Sequence, residues 1–414
     1  MAILIVSPYW PWRDNTGAPQ RVGMLLLGLS RVDSVDFLAY SDLGDPFENF
    51  REARGVRTLH SGMYPGPNSF RRRLLARLVG PERARIVSAR RVVRRLVHEL
   101  HAQEQYSLVL FVREMSWFIA GDAVTCPTIV DVDDFAEVVL QRWLDVGKND
   151  RGEPITTREA ARMRRRIRVL RNQHQSVARS GTRRLVVSAT DAARVPGASS
   201  EVVPNAYPAA TAPGDRPLQR RRNVLLFVGM HLYAPNADAA GWFATSVLPI
   251  IARQVPDVEF RIVGRADERV TALNALPHVS VTGPVADVGD ELSCARAAVI
   301  PLRVGGGSRI KILEAMASSV PVVSTTIGAE GLDLRSGEHA FIADSAEELA
   351  AACVRVLQLD SEVEQMTRAA RELAHQYAPD VIADRVRRIA GNVMRPAAFF
   401  SDAGGGRDSR VAEE

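Results

Sequence analysis

Lysine is almost missing from this chain: of 53 lysines and arginines, only Lys148 and Lys311 are lysine. Arginine is the default cation, so a basic surface alone says little about a partner. Cysteine is scarce as well. Cys126, Cys294 and Cys353 form no CxxC pair and no Cys/His cluster, which excludes a disulfide framework and a structural zinc site and fits a reducing cytosol. No run of 18 apolar residues occurs, so no transmembrane helix is expected. Aromatics are 6% of the chain. With no zinc-finger spacing and no base-stacking motif, nucleic acid is not an expected partner. The eight histidines are scattered without an HExxH, and neither a Walker A motif nor a well-placed GxGxxG is present. Metal-dependent, ATPase and simple dinucleotide chemistry thus lack their usual signatures. Residues 1–6 have no basic leader and Pro8 follows closely, so they read as a first strand and not as a signal peptide.

What is present is a globular composition, 46% hydrophobic and 24% charged over 414 residues. That length is too great for one core, and two domains are expected. Residues 1–204 hold 31 Lys and Arg against 22 Asp and Glu, whereas residues 205–414 hold 22 against 26. The basic excess belongs to the first half.

Short apolar runs at 2–7, 35–40, 108–112, 128–132, 185–189 and 201–203 alternate with helical patterns, the first over about 18–29. The second half repeats the design, with strands at 224–229, 259–264, 279–283, 297–302, 321–324 and 340–343. Helices are expected there at 236–254, 308–318, 346–359, 362–377 and 380–393. Such alternation predicts an α/β protein of two Rossmann-like, doubly wound parallel sheets. Residues 205–222, rich in Pro, Ala and Arg without period, read as the linker between domains at 1–204 and 223–378. A helix spans 379–395, and the small, polar residues 396–414 are expected to be disordered.

The most informative stretch is AAVIPLRVGGGSRIKILEAMASSVPVVSTTIGAEG, residues 297–331. It reads strand, glycine loop, helix, strand, loop. Gly305, Gly306 and Gly307 let the backbone approach a ligand, and Ser308 is a fair N-cap. A helix N-terminus behind a glycine turn suits phosphate. Arg309 and Lys311 have the wrong sign for that end of the dipole unless an anion sits before them, and a lysine there is a compact point charge suited to a phosphate oxygen. Glu314 falls on the apolar stripe of Ile310, Leu313 and Ala317. A buried carboxylate needs a partner, such as ribose hydroxyls. The plainer alternative is a capped helix with a Lys311–Glu314 pair at i, i+3.

This segment, with the runs at 223–264 and 279–302, resembles the donor-site half of the family 4 (group 1) glycosyltransferases over most of residues 222–345. It is closest to the subset reading GGG-x-R-x-K-x-LEAMA. The resemblance implies a GT-B architecture, two Rossmann-like domains facing across a cleft, with the last helix crossing back to the first domain. It implies a retaining hexosyltransferase, with a nucleotide-diphosphate sugar as donor substrate and an acceptor hydroxyl in the first domain. No cofactor or metal is expected. Glu314 would hold the ribose, and Arg309 and Lys311 would face the diphosphate. Gly17, Gly229, Gly305, Gly306, Gly307 and Ser308 would line the donor. Two departures stand out. The usual first glutamate of the Glu-x7-Glu pair falls on Gly306, and the arginine after the first glycine of the second half is Met230. A GT-B sugar-nucleotide epimerase and a non-catalytic sugar-nucleotide binder are the alternatives.

Asp131, Asp133 and Asp134 follow a buried strand, where doubly wound sheets open onto ligands. One carboxylate is expected to cap the next helix, with Asp134 the first choice. Another would serve the site, and Asp133 is assigned there as base or acceptor ligand, since relatives carry a histidine in this loop. Gly17 and Arg21 belong either to the site or to an ordinary βα loop with an exposed arginine. Residues 71–95 hold ten arginines and one acid, Glu82, beside the apolar Phe70, Leu74, Leu75 and Leu78. That is a basic amphipathic helix for an anionic membrane surface, or one whose apolar stripe packs on the sheet. A cytoplasmic enzyme touching the inner face of the cell membrane, with a lipid-linked acceptor, would follow from the first option.

Overall fold

The computed structural model describes residues 2–11, 17–41, 55–64, 66, 69–79, 81–194, 199–208, 222–307, 309–358 and 360–394. Ser308, most of the linker and the tail at 396–414 lie outside the described residues. The first sheet consists of β1 (Ala2–Ser7), β2 (Ser34–Ser41), β3 (Thr58–Met63), β4 (Leu108–Val112), β5 (Thr128–Val132), β6 (Arg183–Val186) and β7 (Ser200–Val202). Their order is β3-β2-β1-β4-β5-β6-β7, all parallel. The second sheet holds β8 (Val224–Val228), β9 (Glu259–Val263), β10 (Val279–Gly283), β11 (Ala297–Ile300), β12 (Val322–Ser324) and β13 (Phe341–Ile342). It is ordered β10-β9-β8-β11-β12-β13 and is again parallel. Strands such as AILIVS are buried along their whole length, as expected where helices cover both faces of a parallel sheet. In each sheet the order reverses beside its first strand, between β1 and β4 and between β8 and β11. Ligand crevices open at such switch points.

The helix Pro379–Met394 packs on the helix Gly17–Ser30 of the first domain. Its Ile382, Val386 and Ile389 join the core of Ile3, Ile5, Leu25 and Phe37, each contributing roughly 1.5–3 kcal/mol by burial. Gly28 makes the approach feasible, because a Cβ there would stand 2.5 Å from Val386 Cβ.

Some boundaries differ from the sequence expectation. β6 ends at Val186 instead of running to 189, because Ser188 Oγ accepts the Asp191 N–H at 3.1 Å and starts the helix Ala189–Arg194. The helix expected at 236–254 is Ala234–Trp242, a wider-turned Phe243–Val247 and Leu248–Ala252. Pro249 has no N–H to give the preceding turn, and Leu248 N bonds back to Phe243 O instead. The helix expected from 308 begins at Ile310, with Arg309 before it and no side-chain cap.

Candidate active site

The glycine loop leaves the end of β11 and turns into Ile310–Ala317, a helix because Ile312, Leu313, Ala315 and Met316 bury one face against the second sheet. It stops where Ser319 adopts φ +55 and Pro321 follows. Gly307 is left-handed at φ +69, and a Cβ on it would stand 3.3 Å from the Asp133 carbonyl of the other domain. Arg309 is buried. Its guanidinium donates to Gly306 O at 2.7 Å and to Ile327 O at 2.8 Å. Expected to face a diphosphate with its side chain, it here pins the glycine loop to the short helix Thr326–Ala329 through backbone carbonyls. Burial is the main influence lowering its pKa.

Lys311 turns inward to Asn236, its Nζ donating to Oδ1 at 2.9 Å and lying 4.8 Å from the centre of the Phe227 ring. Asn236 is fixed by its amide to Met230 O at 2.9 Å. Gly229 closes the back of this nest, since a Cβ there would lie 3.1 Å from the lysine nitrogen. Burial, and then the nearby Arg309 charge, brings the Lys311 ammonium down to about 7. One helical turn on, burial and then Asp287 push the Glu314 carboxyl up to about 7. Lys311 and Glu314 line one small pocket with Leu226, Val228, Ala298 and Ile300. Since Lys311 bonds Asn236, the plain i, i+3 ion pair is not what holds it. A cation and a carboxylate a turn apart offer one partner for an anion and one for hydroxyl donors.

The first domain supplies the opposite wall. Gly17 opens its helix, and a Cβ there would lie 3.9 Å from Ile310 Cδ1, so this end faces the glycine-loop helix. Arg21 is neither a site residue nor an exposed one. It is wholly buried, with Nε 2.9 Å from both Asp131 oxygens and Nη1 donating to Val203 O at 2.9 Å and Asn205 Oδ1 at 2.6 Å. Asp131 is therefore consumed in holding the first helix to β5 and to the residues entering the linker. Asp133 lies 3.3 Å from Arg113 Nε, and Arg113 in turn stands over the Tyr9 ring at 5.2 Å. Arg113 has φ +63, an uncommon conformation of the kind that clusters at functional sites. Asp134 does not cap the helix Ala136–Val146: the residue before that helix is Phe135, and no side-chain cap is made. Instead Asp134 faces Gly306.

The structure thus brings Asp133, Gly306, Gly307 and Arg309 together where the two domains meet, with Gly305 in the same loop and Gly17 against its helix, while Gly229, Lys311 and Glu314 lie in the slot within the second domain. It also brings in residues that sequence reasoning passed over. Arg142 donates to Gly305 O and, at 2.7 Å, to Glu330, which Arg194 reaches at 3.0 Å. Nothing in their spacing marks them. Asn236, a buried amide in a small-residue helix, was the one available signal.

The family model described as "Glycosyl transferases group 1" matches residues 222–359. The phosphatidyl-myo-inositol mannosyltransferase of Mycobacterium leprae (strain TN) is 34% identical over 149 residues, 34% of this chain and 40% of that protein. The protein of that name from Mycolicibacterium smegmatis (strain ATCC 700084 / mc(2)155) is 29% identical over 230 residues, 53% of this chain and 58% of the relative. The matches therefore span about half the length of these curated relatives. Among solved structures, sucrose-phosphate synthase (tll1590) from Thermosynechococcus elongatus superposes with a TM-score of 0.68 at 16% identity, over 95% of this chain and 98% of that one. Anabaena Alr3699/HepE in complex with UDP and glucose gives 0.64 at 15%, over 95% and 100%. Two parallel-sheet domains across a cleft are the GT-B fold.

Proposed function

We propose that this chain, whose residues 222–359 match the model of the group 1 glycosyl transferases, moves a hexosyl group from a nucleotide-diphosphate sugar to an acceptor hydroxyl. The observation that carries the reading is the Lys311–Glu314 slot at the ends of β8 and β11, a desolvated ammonium and a desolvated carboxyl one turn apart. Glu314 would accept the ribose hydroxyls. Lys311 and the backbone amides of the glycine loop would stabilise the departing diphosphate, and fixed charges aimed at a leaving group are a large catalytic contribution. Arg309 would position the loop. The bond from anomeric carbon to phosphate oxygen breaks as the bond to the acceptor oxygen forms, and the acceptor proton passes to the departing phosphate. Retention at the anomeric carbon follows from the resemblance, and no metal is assigned a part. Asp133, held by Arg113 on the facing wall, would serve the acceptor side.

The names of the mannosyltransferase relatives specify a phosphatidyl-inositol acceptor. A lipid-linked acceptor, in glycolipid or polysaccharide synthesis at the cytoplasmic face of the membrane, is the corresponding reading here. It is supported by Phe70 and Leu74, which stand out from the surface between Arg71, Arg72, Arg73 and Arg77.

Titration calorimetry with UDP, GDP and the parent nucleosides tests the donor seat. A charge-assisted contact is worth roughly 1.5–3 kcal/mol, or about 10- to 100-fold in affinity. Lys311→Ala should lose that factor for the diphosphates and spare the nucleosides, while Glu314→Ala weakens both. Unchanged diphosphate affinity in Lys311→Ala would remove the assignment.

A further inference from the structure

Asp134 is a carboxylate in the cleft with no structural task. It caps no helix, and its Oδ1 is shut off from solvent without a hydrogen-bond partner. It leans on the glycine loop of the other domain. A Cβ added to Gly306 would lie 2.5 Å from Asp134 Oδ1 and 2.9 Å from Val139 Cγ2. The loop therefore cannot bear a side chain at 306 while this carboxylate stands over it. The reverse also holds: the space in front of Gly306 already contains an acid, delivered by the first domain. Burial, then the charge of Asp133, raises this carboxyl to about 6, with Arg113 and Arg309 acting against them. An unmet buried acceptor is costly, and a ligand hydroxyl would relieve that cost.

We propose that Asp134 holds hydroxyls of the donor's sugar ring, reaching across the cleft to the place that a side chain at position 306 would otherwise occupy. The inference rests on the transferase reading. Glu314 and Lys311 take the ribose and diphosphate within the second domain, so the group beyond the diphosphate lies along the glycine loop toward the first domain. There Asp134 is an acceptor-only group with an open valence, and a sugar offers neighbouring O–H donors. The charge sits on the opposite domain, so the sugar is gripped only when the two domains meet. Binding and closure are thereby linked.

The test compares affinity for UDP-glucose and GDP-mannose with that for UDP and GDP. It uses the full chain and its Asp134→Ala, Gly306→Glu and Asp134→Gly/Gly306→Glu variants. Asp134→Ala should weaken the better sugar nucleotide about tenfold, the size of one lost hydrogen bond to a charged group, with the parent diphosphate unchanged. Gly306→Glu alone should lose the sugar nucleotide, because its side chain collides with Asp134. Built with Val139→Ala, which clears the second close contact at 306, the double variant moves the carboxylate from one domain to the other and should recover sugar-nucleotide binding. Diphosphate affinity in every variant reports an intact second domain. An unchanged sugar-nucleotide to diphosphate ratio in Asp134→Ala overturns the proposal, as does a double variant no better than Gly306→Glu. If the unaltered chain binds neither UDP nor GDP, the transferase reading itself fails.

Discussion

Lys311 and Glu314 both titrate near neutrality, and they drive ligand binding in opposite directions. The Lys311 ammonium, brought to about 7 by burial and Arg309, must be protonated to meet a diphosphate. A bound anion raises its pKa, so diphosphate affinity falls as pH climbs through 7, by at most about tenfold per unit. Glu314, pushed to about 7 by burial and Asp287, accepts ribose hydroxyls best when ionised, so nucleoside affinity rises over the same window. For the unliganded fold the lysine has its own sign. Its folded pKa lies below the unfolded value of about 10.4, so the unfolded chain binds more protons between the two and stability increases with pH there. The expected outcome is a nucleoside affinity that grows from pH 6 to 8 while the ratio of sugar nucleotide to nucleoside shrinks. A sugar nucleotide is the right probe because its doubly esterified diphosphate does not titrate in this range. A ratio that stays flat in the unaltered protein, or keeps its slope in Lys311→Gln, would detach the pH dependence from this lysine.

At the scale of elements, the helix Phe70–Val79 presents an uncovered amphipathic face. Phe70 is 73% exposed and Leu74 49%, so these two positions do not pack on the sheet. The following helix Pro81–Glu104 behaves differently: it buries Ala89, Val93 and Val97 and sends Arg90 and Arg94 to Asp122. Arg71, Arg73 and Arg77 of the first of these helices are exposed, each worth about 1 kcal/mol beside anionic lipid. Cosedimentation with phosphatidylglycerol vesicles and not with phosphatidylcholine is expected. Salt, Arg71/Arg72/Arg73→Gln or Phe70/Leu74→Ser should reduce it. Equal recovery in the supernatant with both lipids at low salt would favour an acceptor free in solution. Element by element, the sequence was readable where burial was two-sided. Runs such as LVLFV have nowhere to go but a covered parallel sheet. β3, TLHSGM, escaped notice because only Gly62 of its six residues is buried. Glu314 was legible from its place on an apolar stripe. Arg21 with Asp131 was not, since the partners lie 110 residues apart and only the fold brings them together. Asp134 was misread for the same reason, its environment being a loop of the other domain.

Among the described residues, Glu330 makes a polar latch across the cleft. It follows the helix Thr326–Ala329 in the second domain and accepts from Arg142 and Arg194, both of the first. Arg142 also grips the Gly305 carbonyl, so the latch and the glycine loop share a residue. Burial alone would raise the Glu330 pKa, but the Arg142 hydrogen bond and the charges of Arg142, Arg194 and Arg309 outweigh it and set it below the ordinary carboxylate range. A depressed acid of this kind contributes fully above its unfolded value of about 4.3 and loses that contribution as pH falls through the folded value. The closed arrangement should therefore be constant through neutral pH and loosen only in acid. Partly exposed pairs of this kind contribute up to about 1 kcal/mol each, so Glu330→Gln, which removes the charge from both, should shift closure several-fold toward the open form. The lysine slot lies within the second domain and should keep its diphosphate affinity. The steps that need both walls should suffer, because exclusion of water and delivery of Asp134 to the sugar depend on contact between the domains. Small-angle scattering of ligand-free Glu330→Gln should give a larger radius of gyration at pH 7. The same variant should release nucleoside diphosphate from a sugar nucleotide more slowly. A scattering profile and a turnover indistinguishable from those of the unaltered chain would mean that closure is set elsewhere, by the apolar contact between the helices Gly17–Ser30 and Pro379–Met394.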